Sequence, residues 1–313
     1  MKRYVLLRVL GTIPVLLFVT LMTFALSYFS SSDPITAKYS NMGITPDPEI
    51  LAQEREEAGL NDSFFIQYTR WLGGALRGIF GNSFRYGGDA AFELRKRLPN
   101  TLRLTGSALV CTILLSLPLG VICAVREGGW FDRILRLFSF LGTAMPSFWV
   151  AMLLMYLFGV RLHWLPVMGD DGLRHLILPC ATLTFWLSAI YVRRIRAAAL
   201  EELERDYVRG ALSRGVKMRT VLARHVLPNA LLTQLSAFGV TVGKLLGGAT
   251  VVETVFEWQG IGKMVIAAIG VRDYPVILAY VLWVAAIYAL VQLVTDLLCH
   301  LLDPRIRLGG QAA

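Results

Sequence analysis

Residues 104–125 read LTGSALVCTILLSLPLGVICAV, 22 positions without a charge, and the environment they demand decides the fold. A helix needs about 17–25 predominantly apolar residues to cross the hydrocarbon core of a bilayer. The same property recurs at residues 9–32, 137–160, 176–192 and 276–295, and residues 228–252 are interrupted only by Lys244. A soluble protein burying six such helices needs amphipathic partners around them. This chain of 313 residues, 55% hydrophobic and 17% charged, with a mean hydropathy of +0.57, has too few to supply them. The reading is an all-α, polytopic membrane protein with six transmembrane helices.

Composition narrows the reading further. Lys2, Arg3 and Arg8 precede or open the first apolar run, as they do in a secretory signal. The uncharged run is 24 residues long, against about 7–15 for a signal, so it reads as a retained first span. A net charge of +9 would in a soluble chain suggest nucleic acid. Here it is explained by retention of Lys and Arg on the cytoplasmic side, and no nucleic-acid partner is expected. Cys111, Cys123, Cys180 and Cys299 all fall within or at the ends of apolar runs, without C-x-x-C spacing. They read as small packing residues, with no disulfide framework or zinc site.

The short loops set the orientation. Residues 193–227 hold Arg193, Arg194, Arg196, Arg205, Arg209, Arg214, Lys217, Arg219 and Arg224, whereas 161–175 hold only Arg161 and Arg174, and 255–275 only Lys263 and Arg272. The positive-inside rule then puts both termini in the cytoplasm. Arg95, Lys96, Arg97 and Arg103 crowd the outer end of the second span, but long translocated segments largely escape the rule. The expected division is an N-terminal transmembrane helix at 1–32, an extracytoplasmic helical segment at 33–103, and a five-helix core at 104–313 with a cytoplasmic loop at 193–227.

The outer segment has helix punctuation of its own. Asp47, Pro48 and Glu49 form a helix start, with a capping carboxylate, a first-turn proline and an acid near the positive helix end. Gly59 is the matching stop. Within 64–79, Tyr68, Trp71, Leu72, Ala75 and Ile79 recur at helical spacing on one amphipathic face.

The cytoplasmic loop is the most informative stretch. Leu200, Leu203, Tyr207 and Ala211 form one apolar stripe on an otherwise charged helix. Gly215 breaks it, residues 218–225 start a second helix, and Leu227-Pro228 leads into the fifth span. A helix–turn–helix projecting from the membrane is a knob that another protein can grip; an ordinary solvated loop is the plain alternative.

At this loop the chain resembles the permeases of ATP-binding-cassette (ABC) importers. Arg209-Gly210-Ala211, Gly215, His225 and Leu227-Pro228 match the spacing E-A-A-x3-G-x9-I-x-L-P, with Arg209 in place of Glu and Gly210 in place of Ala. The resemblance to the nickel, dipeptide and oligopeptide group covers nearly the whole chain. It runs through Gln67-Tyr68, Gly81-Asn82-Ser83-Phe84, Arg97-Leu98-Pro99-Asn100-Thr101-Leu102, Leu117-Pro118-Leu119-Gly120 and Met145-Pro146-Ser147-Phe148-Trp149. It continues through Trp164-Leu165-Pro166, Asp206-Tyr207-Val208-Arg209, Glu253-Thr254-Val255-Phe256, Asp273-Tyr274-Pro275 and Leu302-Asp303-Pro304-Arg305. Asn61 and Ser63 stand where that group usually has Asp and Pro, and Gln259 replaces the proline usual between Trp258 and Gly260.

The resemblance implies a type I ABC-importer permease fold and a non-catalytic transport subunit of a bacterial inner membrane. Implied partners are a second homologous permease, ABC ATPase subunits, an extracytoplasmic solute-binding protein and membrane lipid. The coupling loop would consist of Asp206, Tyr207, Arg209, Gly210, Ala211, Gly215, His225, Leu227 and Pro228, docking on the ATPase. ATP and Mg would be bound by that partner, because Gly262-Lys263-Met264 lacks the upstream glycine of a phosphate-cradling loop. No cofactor is expected in this chain.

Pathway candidates are Met145 and Pro146, the latter expected to kink the third span, and Lys244 with Gly243, Gly247 and Gly248. An ionisable residue deep in a span usually faces a cavity or a partner, and flanking glycines permit close helix approach. For a metal cargo, His163, His175, Met145, Met152, Met155 and Met168 are the available ligands. The histidines lack pairwise ligand spacing and methionines at helical spacing usually pack, so no metal site is assigned. Trp164-Leu165-Pro166-Val167-Met168-Gly169 and Thr45-Pro46-Asp47-Pro48-Glu49 look more like nickel-type members, with short peptides as the alternative cargo. A secondary carrier would show inverted repeats and mid-membrane ionisable residues, and a non-transporting scaffold would leave uptake unchanged.

Overall fold

The computed structural model describes residues 2–30, 34–41 and 43–302. Along the chain, α1 (Lys2–Tyr28) is followed by three short helices, α2 (Pro34–Asn41), α3 (Pro48–Glu57) and α4 (Phe64–Leu76), and then by the long α5 (Ala90–Val125). Next come α6 (Trp130–Ala144), α7 (Ser147–Leu154) with a π-helical continuation over Met155–Arg161, and α8 (Leu173–Leu203). The short α9 (Asp206–Ser213) and α10 (Met218–Val221) lead through a π-helical turn, Leu222–Val226, into α11 (Leu227–Val255). The chain closes with α12 (Ile261–Gly270) and α13 (Tyr274–Leu302). Among the described residues five helical stretches are long and apolar enough to cross a membrane: those of α1, α5, α8, α13 and Met218–Val255, which contains α11.

The sixth expected span is not a single helix. The sequence suggests one kinked helix over 137–160, but α6 and the α7 stretch meet at 107°. Met145 and Pro146 both adopt extended backbone, with ψ of 129° and 141°. Proline lacks the N–H that would continue the ladder, and its ring drives the preceding residue out of the α region. The helix therefore ends and restarts, and Pro146 opens α7.

Helix ends follow the punctuation in the sequence. Asp47 accepts from Glu49 N at 3.1 Å, and the backbone bonds Gly59 N to Glu56 O and Leu60 N to Arg55 O close α3 with Gly59 at φ +65°. The face expected over 64–79 is shorter than its spacing implies. Gly78 at φ +80° ends α4, and Ile79 lies beyond the helix and is exposed.

The described residues divide into two compact units, those up to 101 with 259–290, and 102–258 with 291–302. In the first, Leu94, Ile261, Met264 and Val276 lie in one buried cluster and Phe24, Tyr68 and Leu278 in another. Polar ties accompany them. The fully buried Asp273 accepts from Ser83 Oγ at 2.5 Å and from Arg85 N at 3.1 Å, and Ile261 N donates to Thr101 Oγ1 at 2.9 Å.

In the second unit α8 is the central helix. Tyr191 stacks on Phe238 of α11 with ring centroids 4.3 Å apart, donates to Ala237 O at 3.0 Å and hydrogen-bonds Thr241. Small residues let neighbours approach closely. A Cβ at Gly142 of α6 would stand 2.6 Å from Ala189 Cβ, and one at Gly120 of α5 would stand 3.1 Å from Val192 O.

The start of α6 is held against α8 by an ion pair between Asp132 and Arg196, with Arg136 and Glu127 each 3.5 Å from one of the two. Asp132, with no exposed surface, accepts from Arg196 Nε at 2.6 Å and from Nη2 at 3.0 Å, while Gly128 N donates to the same carboxylate at 3.1 Å. This fork geometry is the stronger kind of charged hydrogen bond. Removing one partner of such a buried pair strands the other charge at a cost of about 3–5 kcal/mol, whereas replacing both by apolar groups is often neutral. Asp132→Ala is therefore expected to lower the thermal midpoint of the detergent-purified protein sharply, with Asp132→Leu combined with Arg196→Met recovering most of the loss. A single variant as stable as the parent would remove the pair from the account of stability.

Candidate functional site

The basic segment between α8 and α11 is built on a helix break that periodicity does not reveal. The apolar stripe through Leu200, Leu203, Tyr207 and Ala211 implies one continuous helix. Instead α8 ends at Leu203, and Arg205 takes extended backbone (ψ 145°) before α9 begins at Asp206. A break resets helical phase, so counting at 3.6 residues per turn does not carry across it. Val208 and Ala211 turn inward, whereas Tyr207 is 38% exposed. With Ala124, Ala199, Val221 and Val226 they form a buried seam that holds α9 against the neighbouring helix ends.

The turn after α9 is closed by paired backbone bonds, Gly215 N to Leu212 O at 2.9 Å and Val216 N to Ala211 O at 3.2 Å. This closure requires a left-handed residue just past the helix, and Gly215 has φ +80°. The expected second helix at 218–225 is one α turn, after which Leu222–Val226 widens to π geometry and runs on into α11. Pro228 gives the reason, since its missing N–H and bulky ring disrupt the ladder one turn back. His225 sits in this widened turn, and Leu227 and Pro228 open α11.

Tyr207 ties the element together on its exposed side. Its hydroxyl donates to Glu202 Oε2 at 2.6 Å and accepts from Asn229 Nδ2 at 3.5 Å, with the His225 ring 6.3 Å away. Partial burial, followed by that hydrogen bond to Glu202, raises the phenol pKa above its ordinary value. Asp206, Arg209, Gly215 and His225 are exposed, Gly210 and Leu227 half-buried and Ala211 buried. A Cβ at Gly210 would meet only Arg214 Nη1 at 3.9 Å, so packing does not require glycine there. The outcome is a knob with Tyr207, Leu212 and Met218 exposed among Arg205, Arg209, Arg214, Lys217 and Arg219. The exposed acids Glu201, Glu204 and Asp206 lie on the same segment.

The remaining candidates are dispersed. Met145 is half-buried and Pro146 exposed at the α6–α7 corner. Lys244 and Gly247 are exposed on α11 between Val240 and Val251, which are exposed on the same face, and Gly248 is half-buried. A Cβ at Gly247 or Gly248 would meet nothing within 4 Å, so these glycines make no close helix contact among the described residues. Among the described residues no group of three or more His, Cys, Asp or Glu is placed to hold a metal ion. His175 Nδ1 lies 2.8 Å from Asp171 O. Of the stretch Leu302-Asp303-Pro304-Arg305, the part from Asp303 lies outside the described residues.

Sequence reasoning missed the partners of the buried acids. Asp132 in the first turn of α6 and Asp273 inside a quoted motif are visible as charges, but Arg196 and Ser83 lie 64 and 190 positions away. Glu253, fully buried near the end of α11, was read only as part of a motif.

Comparison with known proteins places this geometry. Residues 116–308 match the family described as binding-protein-dependent transport system inner membrane component, and residues 1–105 match its N-terminal companion. The chain is similar to the metal-staphylopine import system permease protein of Staphylococcus aureus, at 36% identity over 99% of this chain and 100% of that protein. It is also similar to the oligopeptide transport system permease protein of Bacillus subtilis, at 36% identity over 98% and 99% of the two chains. The glutathione transport system permease protein of Salmonella paratyphi A is 35% identical over the same shares. Among solved structures, a chain of an inward-facing methionine ABC transporter superposes with a TM-score of 0.57 at 17% identity, covering 68% of this chain and 97% of that one.

The Gly215 turn yields a direct test. A β-branched residue at a left-handed position costs about 1–2 kcal/mol, which Asn largely avoids. Gly215→Val should loosen the turn and speed tryptic cleavage at Arg214 and Lys217 about tenfold, with Gly215→Asn near the parent rate. Equal rates for Val and parent would show that the left-handed turn does not restrain the loop.

Proposed function

Because this chain belongs to the family of inner-membrane components of binding-protein-dependent transport systems, and is a permease subunit of an ABC importer, we propose that its cargo is nickel or a nickel chelate. Dipeptides or oligopeptides are the second reading. The Trp164–Gly169 motif residues support nickel, with Met168 exposed at 58% on the loop before α8. The metal-staphylopine relative supports a metal bound to a small organic chelator. Oligopeptide and glutathione relatives of like identity support peptide-like cargo. A metal chelate and a short peptide share size and polar groups, so one kind of passage suits both.

In this proposal both termini and the 193–227 loop face the cytoplasm, in keeping with the nine basic residues of that loop. Residues 1–32 form the first span, 33–103 an outer helical segment and 104–313 the core. An external binding protein delivers cargo to the outer loops. A second permease completes the pathway, with Met145, Pro146, Lys244, Gly247 and Gly248 on or near its wall. ATP and Mg belong to partner ATPase subunits.

The observation that carries the coupling role is the buried seam under α9, which joins the exposed knob to the ends of α5, α8 and α11. A push on α9 is thereby delivered to three helices at once. ATP binding on the partner would favour one of two helix packings, and the seam would transmit the bias between the sites.

Two measurements test the reading. Whole-cell uptake of radiolabelled nickel, offered free and as a complex with an amino-carboxylate chelator, should fall on deletion of the gene while labelled dipeptide uptake persists. The reverse pattern would make this a peptide permease. Gly215→Val is expected to reduce uptake at least tenfold with normal amounts of protein in the membrane, and unchanged uptake would remove the coupling role from this turn.

A further inference from the structure

Two stripes of side chains frame an apolar groove in the second unit. Ser107, Cys111, Leu115 and Leu119 recur every four residues along α5, and Ile177, Ala181, Phe185 and Ser188 at steps of four, four and three along α8. Phe138 of α6 closes one side, edge-on to Phe185 with centroids 5.0 Å apart. The groove encloses about 670 Å³. From Ser107 to Leu119 it runs about 18 Å along the helix axis, close to the ~15 Å depth of one leaflet's hydrocarbon.

One end of this groove is charged. Arg174, in the first turn of α8, lines it, is exposed and has no ion pair among the described residues. A hydrocarbon-walled slot about one leaflet deep, whose one charged lining residue among those described is Arg174, is complementary to an anionic amphiphile, the neighbouring Asp170 and Asp171 lying outside its lining. We propose that this groove binds a phospholipid of the surrounding bilayer with an anionic headgroup, its phosphate paired with Arg174 and one acyl chain lying between the α5 and α8 stripes. Guanidinium suits phosphate because its planar donors meet two oxygens at once. The chain fills space that would otherwise leave the groove walls without dispersion contacts. Such a lipid would brace α5 against α8 at the level of Cys111 and Cys180, whose sulfurs lie 4.0 Å apart. The inference rests on the membrane-spanning fold and is independent of the cargo.

The test uses the complete transporter, with its partner subunits, in nanodiscs containing phosphatidylglycerol or phosphatidylcholine that carries a photoreactive diazirine on one acyl chain. Labels mapped by mass spectrometry should fall on the α5 residues 107–119 and α8 residues 177–188, several-fold more from phosphatidylglycerol. Arg174→Gln should abolish that headgroup preference while acyl labelling continues. Ala181→Trp, which fills the groove, should reduce labelling there at least fivefold. Labels absent from both stripes, or a headgroup ratio of one in the parent, would overturn the proposal. So would a photoreactive side chain at Ile177 that cross-links to another polypeptide, since the groove would then belong to a protein.

Discussion

The carboxylate of Asp132 sits against Arg196 with no exposed surface, and the arrangement of the second unit depends on that contact. A buried charge is tolerated only when paired and hydrogen-bonded, so the start of α6 must lie beside α8 wherever Arg196 is. Arg196 is held on one helix whose other contacts are tight. Gly142 meets Ala189, Gly120 meets Val192 and Ile195, and Tyr191 stacks on Phe238. The short loop before α6 is thus fixed by electrostatics and the helices behind it by steric fit. The two constraints share α8.

The projecting element begins only seven residues beyond Arg196, at Leu203, where α8 stops. Its position is therefore inherited from a helix that is anchored on both sides. Within the element stiffness is unevenly distributed. Val208, Ala211, Val221 and Val226 are packed, while the turn at Gly215 has open space around it and the widened turn at Leu222–Val226 replaces regular α bonds. In the proposed coupling, a rigid attachment bearing a conformationally specific turn would pass a push on α9 to the helix ends beneath it without unfolding.

Much of the fold was legible in the sequence because the bilayer imposes a simple requirement. Backbone groups in hydrocarbon must be satisfied within the segment, so an uncharged run of sufficient length becomes a helix regardless of its neighbours. That is why residues 104–125 and 276–295 fall inside α5 and α13. Caps were equally legible, since Asp47 and Gly59 act within a few residues of themselves. The break at Met145-Pro146 was foreseen as a bend but not in its size, because a proline specifies where a helix is disrupted while packing on each side decides the angle.

The sequence by itself determined the class of structure, the number of apolar spans, the projecting basic loop and, through its motif series, the resemblance to importer permeases. These are properties of local composition and of spacing along the chain. Only the tertiary structure decided that Tyr207 faces outward while Val208 faces in, and that Asp132 belongs to Arg196 and Asp273 to Ser83. It alone set the stripes of α5 and α8 side by side with Arg174 at their end. Helical phase is lost at every break and ion pairs close over long loops, so such relations depend on where helices pack, which no count along the chain encodes.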